Sequence, residues 1–233
     1  MRAPATQPLL TCATTDAQGT FRLRLPEGVW EVWIGGPADS GIMGQHAADV
    51  VLRLPSTSVD LHYLGYRVSG RLIGPGNATL NDGYLSILSK MNTTRVAVPS
   101  GSYTLLVPPD TLSIWANPSP FGYEAGIPQV RYDGIVVSSD TTMDLSLDGH
   151  LVSGRGTFDG IPLYGGWVSA SSPTAQAYSA FAADGTYRIY LPTREYVFTV
   201  YTGGRGDGTH VYPAILIDAP RTLNFDLSGP PAP

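Results

Sequence analysis

The sequence predicts an all-β chain, a tandem array of three β-sandwiches of which the first lacks its N-terminal strand or strands. Three observations carry this. Apolar residues fall on alternate positions, as in Phe21, Leu23, Leu25 and again in Trp30, Val32, Ile34, the mark of strands with one buried face. No window shows an apolar stripe at helical spacing, and 27 Gly and 20 Pro punctuate the 233 residues. One pattern also recurs at a period of about 83 residues, the sign of a repeated module. It reads Gly19, Phe21, Leu23, Leu25, Pro26, then Gly101, Tyr103, Leu105, Val107, Pro108, then Gly185, Tyr187, Ile189, Leu191, Pro192.

Within a repeat, the first strand is Val68, Ser69, Gly70, Arg71 in the second copy and Val152, Ser153, Gly154, Arg155 in the third. A short strand follows at Tyr84 to Ile87 and at Trp167 to Ser169. The turns Asp16 to Gly19, Pro99 to Gly101 and Asp184 to Gly185 lead into the repeated strand, at places where a positive backbone angle suits Gly. Pro26 to Gly28, Pro108 to Asp110 and Pro192 to Arg194 then read as the tight turn of a hairpin. Each copy closes on an apolar residue, Asp and Leu: Val59, Asp60, Leu61; Met143, Asp144, Leu145; Phe225, Asp226, Leu227. The predicted domains are therefore residues 1–64, 65–148 and 149–233.

Aligning the glycines puts Met1 opposite Gly83, so the first repeat has no counterpart of Val68 to Arg71. Either the missing strand lies upstream in a longer protein or it comes from another copy of the chain, because an open sheet edge is a template for pairing. Donation head to tail does not close on itself and builds a filament. The segment Met1 to Leu10 and the tail after Leu227 are the ends that could reach a neighbour.

The order Val-Ser-Gly-Arg, Gly-containing loop, short strand, Asp-Gly-Thr-Tyr, alternating residues to Leu-Pro, strand and final apolar-Asp-Leu resembles the carboxypeptidase regulatory-like domain, a transthyretin-like β-sandwich. The likeness covers residues 150–228, more loosely 66–148, and 13–62 of the first copy. It implies the fold and a non-catalytic extracellular or periplasmic module, and it names no ligand.

Charged residues are only 14% of the chain and Lys90 is the single lysine, a composition expected of a surface covered by neighbouring subunits or sugar. A net charge of -5 without a basic patch excludes nucleic acid as partner. Prolines and scattered charges break every apolar run, so no membrane span is expected. Cys12 is the one cysteine, forms no intrachain disulfide, and is expected to be a small buried thiol.

His46, His62, His150 and His210 fall in different loops without metal-ligand spacing, and no Gly-x-Ser-x-Gly turn is present, so neither a catalytic site nor a cofactor is expected. Gly203 to Gly208 contains Arg-Gly-Asp and reads as a glycine-rich hairpin tip. Asn77 and Asn92 lie in sequons and are the candidate glycan acceptors, whereas Pro118 removes Asn117. Trp30, Trp33, Trp115 and Trp167 sit on strands, where core packing is the default. Tyr63, Tyr66, Tyr123, Tyr132, Tyr164, Tyr201 and Tyr212 lie nearer turns and are candidates to stack on sugars.

The expected protein is a non-enzymatic extracellular or cell-surface structural subunit, polymerising with copies of itself by strand complementation and glycosylated at Asn77 and Asn92. The alternative is a carbohydrate-binding or stalk module of a larger secreted protein.

Overall fold

A computed structural model describes residues 10–53, 56–90, 92–119, 125–203 and 208–227. The chain is all-β; among the described residues the one helical element is a 3-10 turn at Pro75–Asn77. It divides into two compact units, residues 1–34 with 46–62, and residues 35–45 with 63–233.

The first unit has one two-stranded sheet, β1 (Gly28–Ile34) with β2 (Gln45–Leu52). Its entry turn forms as the sequence predicts, with Asp16 Oδ1 accepting from the amides of Gln18 and Thr20, and Gly19 at φ 79°. The predicted strand Phe21 to Leu25 does not form. Among the described residues it has no sheet partner, and a lone strand leaves its backbone groups to water.

The second unit contains the other two repeats. Repeat two is β3 (Tyr66–Ile73), β4 (Gly83–Leu88), β5 (Thr93–Ala97), β6 (Ser102–Val107), β7 (Asp110–Pro118), β8 (Gln129–Val137), β9 (Thr141–Thr142) and β10 (Leu145–Ser146). Repeat three is β11 (His150–Phe158), β12 (Ile161–Pro162), β13 (Trp167–Ser171), β14 (Ala175–Ala180), β15 (Thr186–Leu191), β16 (Arg194–Tyr201), β17 (Thr209–Ile217), β18 (Arg221–Thr222) and β19 (Phe225–Leu227).

Each repeat has a small sheet in which its first strand is flanked by the antiparallel central strand and the parallel closing strands: β3 by β6 with β9 and β10, β11 by β15 with β18 and β19. The opposing layer is one eight-stranded sheet running through both repeats, in the order β17-β16-β13-β14-β8-β7-β4-β5. The two modules thus share a sheet instead of standing end to end.

The predicted hairpin at Pro108 and Pro109 is corrected. β6 pairs with β3, while β7 pairs with β4 and β8, so the chain crosses from one sheet to the other. Two prolines without an N–H cannot close a two-residue hairpin. Both strands turn their apolar residues inward: Tyr103, Leu105 and Val107 from one sheet face Leu112, Ile114 and Ala116 from the other, all buried. Pro192 makes the same crossing between β15 and β16.

Burial fixes the ionisation of the core tyrosines. The Tyr103 hydroxyl donates to Met143 O at 2.6 Å, and the Tyr187 hydroxyl donates to Leu223 O at 2.8 Å. Burial pushes both phenols well above the ordinary range, with the Asp144 charge adding to the effect at Tyr103; Tyr196 is raised likewise, and burial takes Tyr63 up to about 12. The native chain therefore holds protons that the unfolded chain releases near pH 10, and the stability these groups contribute falls as pH rises past that point. The melting temperature is expected to be flat from pH 8 to about 9.5 and to fall steeply above about pH 10.5. Circular dichroism melts across that range check it, and an unchanged midpoint at the alkaline end would exclude buried phenols as the cause of alkaline unfolding.

Candidate functional site

Two features of the repeats bear on function: the open core of the first and the way the second meets the third. In repeats two and three the inward positions are sealed. Leu112, Ile114 and Ala116 on β7, like Tyr196, Phe198 and Val200 on β16, have relative exposures of 0–1%. Their counterparts on β1, Trp30, Val32 and Ile34, are only half-buried, and so are Phe21, Leu23 and Leu25. Among the described residues no strand of the first repeat takes the place that β3 and β11 have in the other two.

Repeat two meets repeat three through β8 and β14, where Val130 pairs with Ala175 and Gln129 with Gln176. The Gln176 amide donates to Gln129 Oε1 at 2.7 Å, and Arg131 N to Thr174 O at 2.8 Å. Gly126 adds a second attachment, its carbonyl accepting from Tyr190 N on the edge of β15 at 2.9 Å. A Cβ on Gly126 would lie 2.3 Å from Arg188 O, so glycine is required for this approach.

The segment 35–45 repeats the device on β6. Gly41 O accepts from Leu106 N at 2.8 Å, Met43 N donates to Leu106 O at 3.0 Å, and the Tyr63 hydroxyl donates to Met43 O and Leu106 O. Gly41 and Ile42 thus match Gly126 and Ile127. Residues 202–208 hold no Gly-Ile pair, and Thr202 N donates to Gly208 O at 2.9 Å. Beyond them β17 is the end of the large sheet and carries Pro213, a residue that blunts strand pairing.

The repeat-defining residues fall into distinct roles. Gly19, Gly101 and Gly185 all take positive φ at the same turn. Tyr103 and Tyr187 clamp the closing strand, as described. Phe21 occupies their position in the first repeat without a closing strand to hold. Pro26 has the same place before β1 that Pro108 and Pro192 have before β7 and β16, and its carbonyl accepts from Trp30 Nε1 at 3.1 Å.

The closing acids need correcting. Leu145 pairs with Leu72 and Phe225 with Gly156, which are equivalent positions on β3 and β11, so Asp144 corresponds to Asn224 and Asp226 to Ser146. A slip of two residues keeps every side chain on its face, which is why the sequence conceals it. Asp144 accepts from Arg71 N at 2.8 Å and from the Arg71 guanidinium at 2.6 Å, and those bonds hold its carboxyl below the ordinary range. Asn224 Oδ1 accepts from Arg155 N in the same place, at 3.0 Å. Asp226 instead accepts from Thr157 Oγ1, and Asp60 lies exposed outside any strand.

Asn77 is exposed at φ 61° in the 3-10 turn. Asn92 is half-buried and its side-chain nitrogen donates to Gly44 O at 3.3 Å, so its amide is already engaged. Cys12 is exposed, contrary to expectation; its segment forms no strand among the described residues. Arg205, Gly206 and Asp207 lie outside the described residues, as do Met1 to Leu9, the tail after Leu227 and Tyr123.

The expectation that tryptophans pack in the core fails at two sites. Trp33 is 45% exposed and Trp167 38%. Strand parity could have shown this, since Val32 and Ile34, or Val168 and Ala170, point inward and leave the tryptophan outside. Of the turn tyrosines, Tyr66, Tyr132 and Tyr212 pack against the core, Tyr164 is exposed, and Tyr201 stacks on Trp167 with ring centroids 5.7 Å apart. His46 pairs with Asp49 at 2.9 Å and His150 with Thr193 at 2.9 Å. Among the described residues no group of three or more His, Cys, Asp or Glu could hold a metal, and no helix is long and apolar enough to cross a membrane.

No family model matches the chain, and no curated protein does. The resemblance to carboxypeptidase regulatory-like domains therefore rests on the residues and strand order alone. Among solved structures, the Bacillus anthracis TIE protein is similar at 11% identity and a TM-score of 0.29, over 93% of this chain and 44% of its own. The chain thus spans less than half of that protein. A streptococcal ancillary pilin is similar at 9% identity and a TM-score of 0.28, over 87% of this chain and 76% of its own. Fervidolysin of Fervidobacterium pennivorans, a keratinolytic enzyme related to subtilisin, is similar at 16% identity and a TM-score of 0.30, over 62% of this chain and 26% of its own.

Proposed function

We propose that this chain is a non-enzymatic structural protein of the cell exterior, the subunit of a surface fibre assembled when the open first repeat accepts a β-strand from a neighbouring copy. The observation that carries this is the half-exposed apolar layer of Trp30, Val32, Ile34, Phe21, Leu23 and Leu25, at positions buried in the other two repeats. A donor strand must do there what β3 does in repeat two: pair with the segment Phe21 to Leu25, drawing it into a strand, and place apolar residues as Val68 and Leu72 do, with a small residue between them as at Gly70. Growth proceeds by strand donation into repeat one. Low charge and the exposed Asn77 fit a surface covered by subunits and glycan.

Electron microscopy of the purified, untagged chain, with its solution mass, tests the proposal. Filaments with a regular repeat are expected, and deletion of residues 1–10 or of the tail after Leu227 identifies the donor. A monodisperse monomer at high concentration would end the fibre reading.

A further inference from the structure

Repeat one presents the polar partners of a first strand that the described residues do not supply. In the complete repeats, groups outside that strand hold it at three points besides the ladders. The turn glycine accepts from the amide two residues past the strand glycine, Leu72 N donating to Gly101 O at 2.8 Å and Gly156 N to Gly185 O at 2.9 Å. A side chain of the closing segment accepts from the amide just before it, Asp144 Oδ1 from Arg71 N at 2.8 Å and Asn224 Oδ1 from Arg155 N at 3.0 Å. The guanidinium is held as well. Arg71 donates to Asp144 Oδ2 at 2.6 Å, whereas Arg155 Nε, with Asn224 in place of the acid, donates to Asp184 O at 2.7 Å.

Gly19 stands where Gly101 and Gly185 do, at φ 79° against 72° and 81°. Asp60 stands where Asp144 does. Val59, Asp60, Leu61 and Gly65 lie 84 residues before Met143, Asp144, Leu145 and Gly149, the interval that also separates Val68 to Arg71 from Val152 to Arg155, so these stretches align without a gap. Asp60 is exposed and lies outside any strand. Repeat one thus has the acid of repeat two and not the amide of repeat three. The backbone N–H is satisfied by either, as Asn224 demonstrates; what the acid adds is a preference for a base beside it.

We propose that the open repeat selects a strand whose glycine is followed by arginine, with Asp60 as the group that reads the arginine. This rests on the reading that repeat one takes in a strand, and it names the chemistry of that strand. The arginine fork suits a carboxylate that also accepts the neighbouring amide, as at Asp144. In repeat two the Arg71 and Asp144 side chains are 57% and 39% exposed, so a pair of this kind contributes selectivity more than affinity.

Anisotropy titrations of the unassembled full chain with a labelled peptide of residues 66–73, at low ionic strength, test it. The parent peptide is expected to bind, and Arg71→Glu in the peptide to weaken binding about fivefold. Salt at about 0.5 M should reduce that difference to less than about twofold. Asp60→Arg in the chain, at an exposed position, is expected to leave the melting temperature unchanged and to reverse the order, the glutamate peptide then binding more tightly than the parent. Gly70→Val in the peptide should abolish binding to both chains, since a first strand has no room for a side chain there. Equal binding of the arginine and glutamate peptides, an order that Asp60→Arg leaves unchanged, or intact binding of Gly70→Val overturns the proposal and leaves strand acceptance standing. Binding of no peptide overturns the two together.

Discussion

Gly154→Ala is expected to lower the unfolding midpoint by on the order of 10 °C, from a loss of about 3–5 kcal/mol. A Cβ at Gly154 would lie 1.8 Å from Leu223 O, and one at Gly70 would lie 1.8 Å from Met143 O. These carbonyls belong to the closing segment as it crosses the first strand, and each also accepts from the clamping hydroxyl of Tyr187 or Tyr103. Leu223 N donates to Ser153 O and Met143 N to Ser69 O, so the clash falls on backbone held from both sides. Relief requires the segment to move by more than an ångström, which breaks the parallel ladder and unseats Phe225 or Leu145 from the core. Gly160→Ala is the control: it has positive φ but open space around it, and should cost only about 1 kcal/mol. Thermal melts of the two variants decide the matter, and equal shifts would mean that close approach is not why Val-Ser-Gly-Arg carries a glycine.

That motif shows what could be read in advance. The glycine of Val-Ser-Gly-Arg, the turn glycines and the alternating apolar runs are local requirements, and local requirements leave marks in sequence. Tyr103, Leu105 and Val107 could be assigned inward because parity alone decides it. What stayed hidden was set by partners far along the chain. Whether β6 turns back on β7 or crosses to the other sheet leaves the same alternation in both strands. The register of the closing strand could slip by two residues without exposing anything, so Asp226 could stand in for Asn224. The joint of β8 with β14 depends on two residue pairs and one glycine contact, too few to make a pattern.

Amide hydrogen exchange of the unassembled chain is expected to separate the three copies of one strand. Residues 102–107 and 186–191 are paired to β3 and β11, and Leu106 and Tyr190 are bonded on the opposite edge as well, so their exchange requires opening of the core. The amides of Phe21 to Leu25 make no backbone hydrogen bond among the described residues, and the side chains of Phe21, Leu23 and Leu25 are only half-buried. Peptides covering that segment should exchange at least about a thousand-fold faster than their two counterparts, near the rate of an unstructured chain. The contrast tests the open edge itself, apart from what fills it. If the segment is already as protected as its counterparts, the first repeat is complete and has no place for a donor. If it is unprotected in the monomer and becomes protected in assembled material, at unchanged rates for residues 102–107 and 186–191, the added hydrogen bonds lie where strand donation requires them. Protection spread evenly over the chain on assembly would instead mean lateral packing of finished subunits, because a donated strand adds its bonds to one edge and leaves the sealed repeats as they were.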